Sequence, residues 1–277
     1  MRSRSSERSL HPLTVTIIRT MVWLDCSDVD SAVACLADAI GIDDSQLRNA
    51  VLAYDESRFS DYSEDQYKRM PREILERSGG AAEVPRFDGV YYFHGSRLIG
   101  LEDIRVEGIL PLDQMVDRIW EMLFLLVCDE CDPAEWNDFR QAVEAGGGGH
   151  DGSLYRSKSR YSLHHGPYAV LVPETFLMVA TAGIHDYLDC PEIVQDIARC
   201  FLSHSGIDVE TRFREASRPV IVKFRSTTMW EGTFRAALWY VFSMLRDGEV
   251  SSNANEGFDG HGKPIPAAHI VGIEVVG

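Results

Sequence analysis

Two hydrophobic periods alternate along this chain. From Ser27 to Gly79 the apolar residues fall three and four apart, the spacing of helices with one buried face. "SDVDSAVACLADAIG" begins at Ser27 or Asp28 as a cap and stops at Gly41. "DDSQLRNAVLAY" and "SEDQYKRMPREILERSGG" predict two further helices, and Pro71 is expected to kink or split the second. Ahead of them, "LTVTIIRTMVWL" predicts a strand, and residues 1–12 a flexible tail. Beyond them, "VYYF" behind Gly89 predicts a strand that ends at His94-Gly95, with a helix-like stretch and Gly-Ile-Leu-Pro following. "LDQMVDRIWEMLFLLV" and "DPAEWNDFRQAVEA" predict helices, the second with Asp132 as cap and Pro133 in its first position. Gly146 to Gly149 then form a glycine linker, followed by "HDGSLYRSKSRYSLHHGP", to which no regular element is assigned. A buried strand at 168–172, the helix "PEIVQDIARCFLSH", the strand "PVIVKF" and the apolar helix "WEGTFRAALWYVFSMLRDG" follow. A polar loop, "EVSSNANEGFDGHGKPIP", leads to a last strand, "HIVGIEVVG". Helices first, then strands separated by helices and loops, predict an α+β fold with antiparallel or mixed pairing rather than a doubly wound sheet.

Composition narrows the functional classes. With 277 residues, 45% hydrophobic and 25% charged, the chain is long enough for a substantial core. A net charge of −16 opposes tight binding to a phosphate backbone, so no stable nucleic-acid complex is expected. No uncharged apolar run reaches the roughly 18 residues of a membrane span, and the basic head "MRSRSSERS" lacks the apolar stretch of a signal peptide. Together these predict a cytoplasmic protein without a membrane partner. Cys128 and Cys131 form a lone C-x-x-C with no second pair at zinc spacing, so the six cysteines are expected to be reduced and no metal is expected. There is no Walker loop and no G-x-G-x-x-G after a strand.

Three segments carry candidate chemistry: His94-Gly95-Ser96-Arg97 with "LEDIRVEGIL" behind it, Tyr155 and Tyr161 around Ser157-Lys158-Ser159, and Glu256 a dozen residues before the last strand. Together they resemble the ADP-ribosyltransferase catalytic domain of the diphtheria-toxin and poly(ADP-ribose) polymerase type. That family uses a His-Tyr-Glu signature on a split, mostly antiparallel sheet that binds NAD. The resemblance covers residues 85–277, with a helical insertion at 113–145, and leaves residues 1–84 as a helical N-terminal region. It implies that His94 binds a ribose, that Gly95 reads the nicotinamide carboxamide through its backbone, and that Ser96 and Arg97 extend the same binding string. It further implies that Tyr161 stacks on nicotinamide, that Ser159 reaches its carboxamide, that Tyr155 covers the other face and that Glu256 is the catalytic carboxylate.

The chemistry suits those residue types. Loss of nicotinamide passes through an oxocarbenium-like state, which wants a carboxylate opposite it. A flat cationic ring wants aromatic walls. The implied activity is transfer of ADP-ribose from NAD, as substrate, to a macromolecular acceptor, in the manner of a toxin or conflict effector. Hydrolysis of NAD by water uses the same first step, and a catalytically inactive NAD-binding or interaction module on the same fold is the non-enzymatic alternative. Glu231 and Glu249 remain alternatives for the carboxylate. A histidine at a strand end, a strand-edge tyrosine and a loop glutamate are also commonplace surface residues, and the aromatic stripe from Trp230 to Tyr240 reads as core.

Overall fold

The computed structural model describes residues 21–55, 64–79, 85–179 and 184–277. Most of the strand expected at 13–24 lies outside them, and so does the tail; what is described of that strand is the short β1, Trp23–Leu24. Helix α1, Val29–Ile40, starts at Asp28, whose side chain accepts from the Ser31 backbone N–H at 2.7 Å. It ends at Gly41, which adopts φ 73°, a left-handed turn open to glycine without Cβ strain. Its buried positions, Ala32, Val33, Leu36, Ala37 and Ile40, form the predicted stripe. Helices α2, Asp44–Leu52, and α3, Glu64–Ser78, follow, and α3 runs on through Pro71 instead of breaking there.

Strand β2, Gly89–Leu98, is longer than its apolar start announces and carries His94-Gly95-Ser96-Arg97 in its second half rather than beyond its end. The reason is its partner. Strand β4, Arg218–Ser226, pairs antiparallel with it from Val90↔Ser226 to Leu98↔Arg218, so the polar residues are held in the ladder. Between these strands come α4, Glu102–Glu107; α5, Leu112–Leu125; α6, Pro133–Ala145; α7, Gly149–Arg160; β3, Tyr168–Val170; α8, Glu192–Ser205; and α9, Val209–Ala216. Helix α10, Thr233–Asp247, then leads to β5, Gly257–Asp259, and β6, Ile270–Val275. The fold is α+β. Its six strands form one largely antiparallel sheet in the order β5-β3-β2-β4-β6, and β1 adds a short parallel pairing to the start of β2.

Helix α7 is the main departure from the sequence expectation, because it occupies the stretch left without an element. Arg156 donates to the carbonyls of Val143 and Gly147 at 2.6 and 2.8 Å, and Arg160 donates to Glu144 O at 2.6 Å. These cations cover carbonyls at the C-terminus of α6, which favours them electrostatically and turns the glycine run into a tight corner. Gly152 is required there, since a Cβ would lie 2.2 Å from Gly147 O.

Two large cores result. One joins α1–α3 and α10 to one face of the sheet, so the N-terminal helices share their interior with the strands. The other lies among α5–α9 and is aromatic, centred on Trp120, Trp136, Phe139 and Phe201. A small third cluster, Phe93, Val170, Phe176 and Leu188, covers the opposite face of β2.

Candidate active-site cleft

Strand β3 is only three residues long and meets β2 at Phe93↔Val170. Pro167, immediately before it, has no N–H to extend the ladder. From Ser96 to Leu98 the β3-side margin of β2 therefore has no strand neighbour among the described residues. A cavity of about 750 Å³ opens along this margin, walled on the far side by α4, α5 and the start of α8. That volume is in the range of about 300–1,000 Å³ usual for small-molecule sites.

His94, Gly95, Ser96 and Arg97 all line the cavity. A carbonyl can only accept, so His94 donates from Nδ1 to Tyr168 O at 2.7 Å. Burial lowers the His94 pKa, partly offset by that hydrogen bond, so the ring is neutral near pH 7 and Nε2 keeps a lone pair to accept a hydroxyl. Gly95 is glycine for a different reason from the expected one. A Cβ there would stand 2.6 Å from the Phe176 ring, so the missing side chain makes room for a neighbouring aromatic as well as baring the backbone. Arg97 is committed elsewhere. Its guanidinium donates to Ser217 Oγ, Leu188 O, Arg214 O and Ser217 O at 2.7–3.0 Å, tying β2 to the end of α9. It lines the cavity as expected, with its guanidinium engaged in these structural hydrogen bonds.

The expected tyrosines lie away from this cavity. Tyr155, 2% exposed on α7, is sunk in the helical core and accepts from Trp120 Nε1 at 3.0 Å; it does not line the cavity. Ser159 lies on the last turn of α7, where its carbonyl accepts from His165 Nε2 at 3.2 Å, and it is not on the cavity wall. Tyr161 follows α7 and is 64% exposed, away from the cavity lining. The tyrosines brought to the cavity instead are Tyr168 and Tyr187. Tyr168 opens β3 beside His94 and donates its hydroxyl to Leu163 O. Burial, followed by the charge on Glu192, pushes the Tyr187 pKa up to about 12. Tyr168 was recoverable from sequence, because it begins the apolar run "YAVLV"; Tyr187, in an irregular loop, gave no such signal.

Glu256 precedes β5 and stands at the other side of β3, with its backbone carbonyl accepting from Leu171 N at 2.9 Å. Its carboxylate lies beside Gly232 next to Arg235 and is not part of the cavity wall. Burial raises its pKa, and Arg235 pulls in the opposite direction. Its charge also reaches Tyr92, on the same face of the sheet as His94. Glu231 and Glu249 are exposed. Asp103, Glu107 and Glu192 are the acidic residues on the cavity wall. Glu107 is held by Arg118 through two hydrogen bonds of 3.0 and 2.8 Å. Lys158 is paired with the buried Asp196 at 2.7 Å.

All six cysteines are free. Among the described residues no group of three or more His, Cys, Asp or Glu is arranged to hold a metal ion, and no helix is long and apolar enough to cross a membrane. Comparison of the chain with protein-family models, with curated proteins and with solved structures gives no match.

Proposed function

We propose that this protein is an NAD-dependent ADP-ribosyltransferase that works at the open margin of β2. The observation that best supports this is the adjacency of β2, β3 and β5, which carry or adjoin His94, Tyr168 and Glu256, one residue of each type the chemistry requires. The parting of β2 from β3 beside a cavity supports it further, since a split sheet is what the resemblance implies. Tyr168 takes the role first expected of Tyr161. In this reading neutral His94 accepts a ribose hydroxyl through Nε2, the Gly95 backbone meets the carboxamide, and Tyr168 and Tyr187 flank the cationic ring. Nicotinamide departs with the bonding electrons, and the acceptor attacks the ribosyl carbon and gives up its proton. Glu256 offsets the positive charge that builds on the ribose.

One observation favours a second reading, an NAD-binding module without turnover: the Glu256 carboxylate is turned toward Arg235 rather than the cavity. Calorimetric NAD binding combined with chromatographic detection of released nicotinamide separates the two. On the enzyme reading the wild-type protein releases nicotinamide, and labelled NAD marks an acceptor in cell extract. Tyr168→Ala should weaken binding by about 1–3 kcal/mol, the loss expected for an aromatic wall, and Tyr161→Ala should leave it unchanged. Binding without nicotinamide release selects the module. No binding of NAD at all removes both.

A further inference from the structure

The proposed reaction leaves one proton without a destination: the one that the attacking acceptor must lose. We infer that Glu192 is the general base that receives it, a role that rests on the transferase reading above. Glu192 is the first residue of α8, and its side chain stands on the wall opposite β2. Its neighbours are Lys158 Nζ at 3.6 Å and His185 Nδ1 at 3.7 Å, both beyond hydrogen-bond reach. Lys158 donates to the buried Asp196 at 2.7 Å, closer than its 3.6 Å approach to Glu192. The carboxylate is 40% exposed, so its oxygens can turn toward a ligand.

The other acidic residues on the wall are placed less well. Glu107 is engaged at both oxygens by Arg118. Asp103 lies in the first turn of the short helix α4. Glu192, in contrast, lies 3.7 Å from His185, whose ring meets the Tyr187 ring edge-on with centroids 4.9 Å apart. It therefore sits beside one of the two tyrosines that line the cavity. In this reading the two carboxylates have separate tasks: Glu256 offsets charge developing on the ribose, and Glu192, on the cavity wall, takes the proton of the incoming nucleophile. In the step itself an acceptor oxygen or nitrogen forms a bond to the ribosyl carbon, the bond from that carbon to nicotinamide breaks with its electrons on nicotinamide, and the acceptor's proton passes to a Glu192 oxygen.

Nucleophiles of different protonation state test this with water, the simplest acceptor, as probe. NAD cleavage is followed for wild type, Glu192→Gln and Glu192→Ala, with and without sodium azide. Azide attacks as an anion and has no proton to lose. Glu192→Gln should lower hydrolysis by about 10²–10³-fold, within the span usual for a general base, with unchanged NAD affinity by calorimetry. Azide should restore nicotinamide release in Glu192→Ala, with ADP-ribosyl azide as the product, but should not restore Glu256→Gln. Wild-type hydrolysis in Glu192→Gln, or a loss that azide does not repair, overturns the base role while leaving the transferase reading intact. Absence of NAD cleavage by the wild-type protein overturns the transferase reading, and the base role with it.

Discussion

Replacing Gly95 by alanine tests how the central strand is packed. The strand backbone is not in the left-handed region at this position, so alanine is acceptable to the chain itself. The obstacle is Phe176, whose Cε1, Cζ and Cδ1 atoms would lie 2.6, 2.8 and 3.0 Å from the new methyl. Carbon atoms in contact prefer about 3.5–4.0 Å, so the ring must retreat by about 1 Å. It has little room, being 5% exposed and packed with Phe93, Val170 and Leu188. Overpacking of this kind costs about 1–3 kcal/mol. At about 2–4 °C per kcal/mol for domains approaching this size, Tm should fall by about 2–12 °C. Urea unfolding of four proteins checks it: wild type, Gly95→Ala, Phe176→Leu and the double variant. In the Phe176→Leu background the ring edge is gone, so Gly95→Ala should cost almost nothing, or stabilise by about 0.5–1 kcal/mol as alanine does over glycine within a strand. An equal cost in both backgrounds, or no cost in the wild type, would refute the steric account.

Arg97→Lys should destabilise the protein by about 1.5–3 kcal/mol in urea, because one ammonium cannot reproduce the fork that reaches Ser217, Leu188 and Arg214, and NAD affinity should be unaffected. Because the folded pKa of His94 lies below the ordinary 6.5, the unfolded chain takes up a proton before the folded one does. Its contribution to stability is therefore complete above about pH 6.5 and is lost as pH falls toward the lowered value; Tm measured from about pH 7.5 down to pH 5 should drop less steeply in His94→Gln than in wild type. Glu256→Gln should cut nicotinamide release by about 10²–10³-fold with near-normal NAD affinity. Since burial raises its pKa, wild-type turnover should fall on acidification above the usual carboxylate range, and a pH-rate profile with no such limb would argue against Glu256.

Much of the helical architecture was legible locally. Asp28, Gly41, Asp132, Pro133 and Gly248 mark helix ends where they were expected to, because caps and left-handed glycines act within a few residues of chain. Apolar stripes likewise announced α1, α8 and α10. Helix α7 escaped because its stabilisers are arginines reaching back to α6, with only Gly152 and Tyr155 turned inward. Helix α9 is short and charged, and β5 has a single buried residue, Phe258, set in a polar loop. Pro71 lies inside α3 without splitting it.

The string His94-Gly95-Ser96-Arg97 was conspicuous from its composition, and its presence at the cavity followed once β2 was built. What each residue does there was settled by partners distant in the chain. Arg97 is claimed by carbonyls about 90–120 residues away, Gly95 by Phe176, and the His94 ring by Tyr168 O. That Tyr187 lines the cavity while Tyr155 is buried and Tyr161 exposed was equally out of reach of local pattern, since exposure depends on which helices close over the sheet. Sequence alone determined the class of fold and most helix boundaries, because capping and periodicity are short-range. Tertiary structure decided the length of β2, the open margin beside β3 and that Glu192, not Glu256, lines the cavity there, because strand pairing and side-chain capture join residues that no local spacing relates.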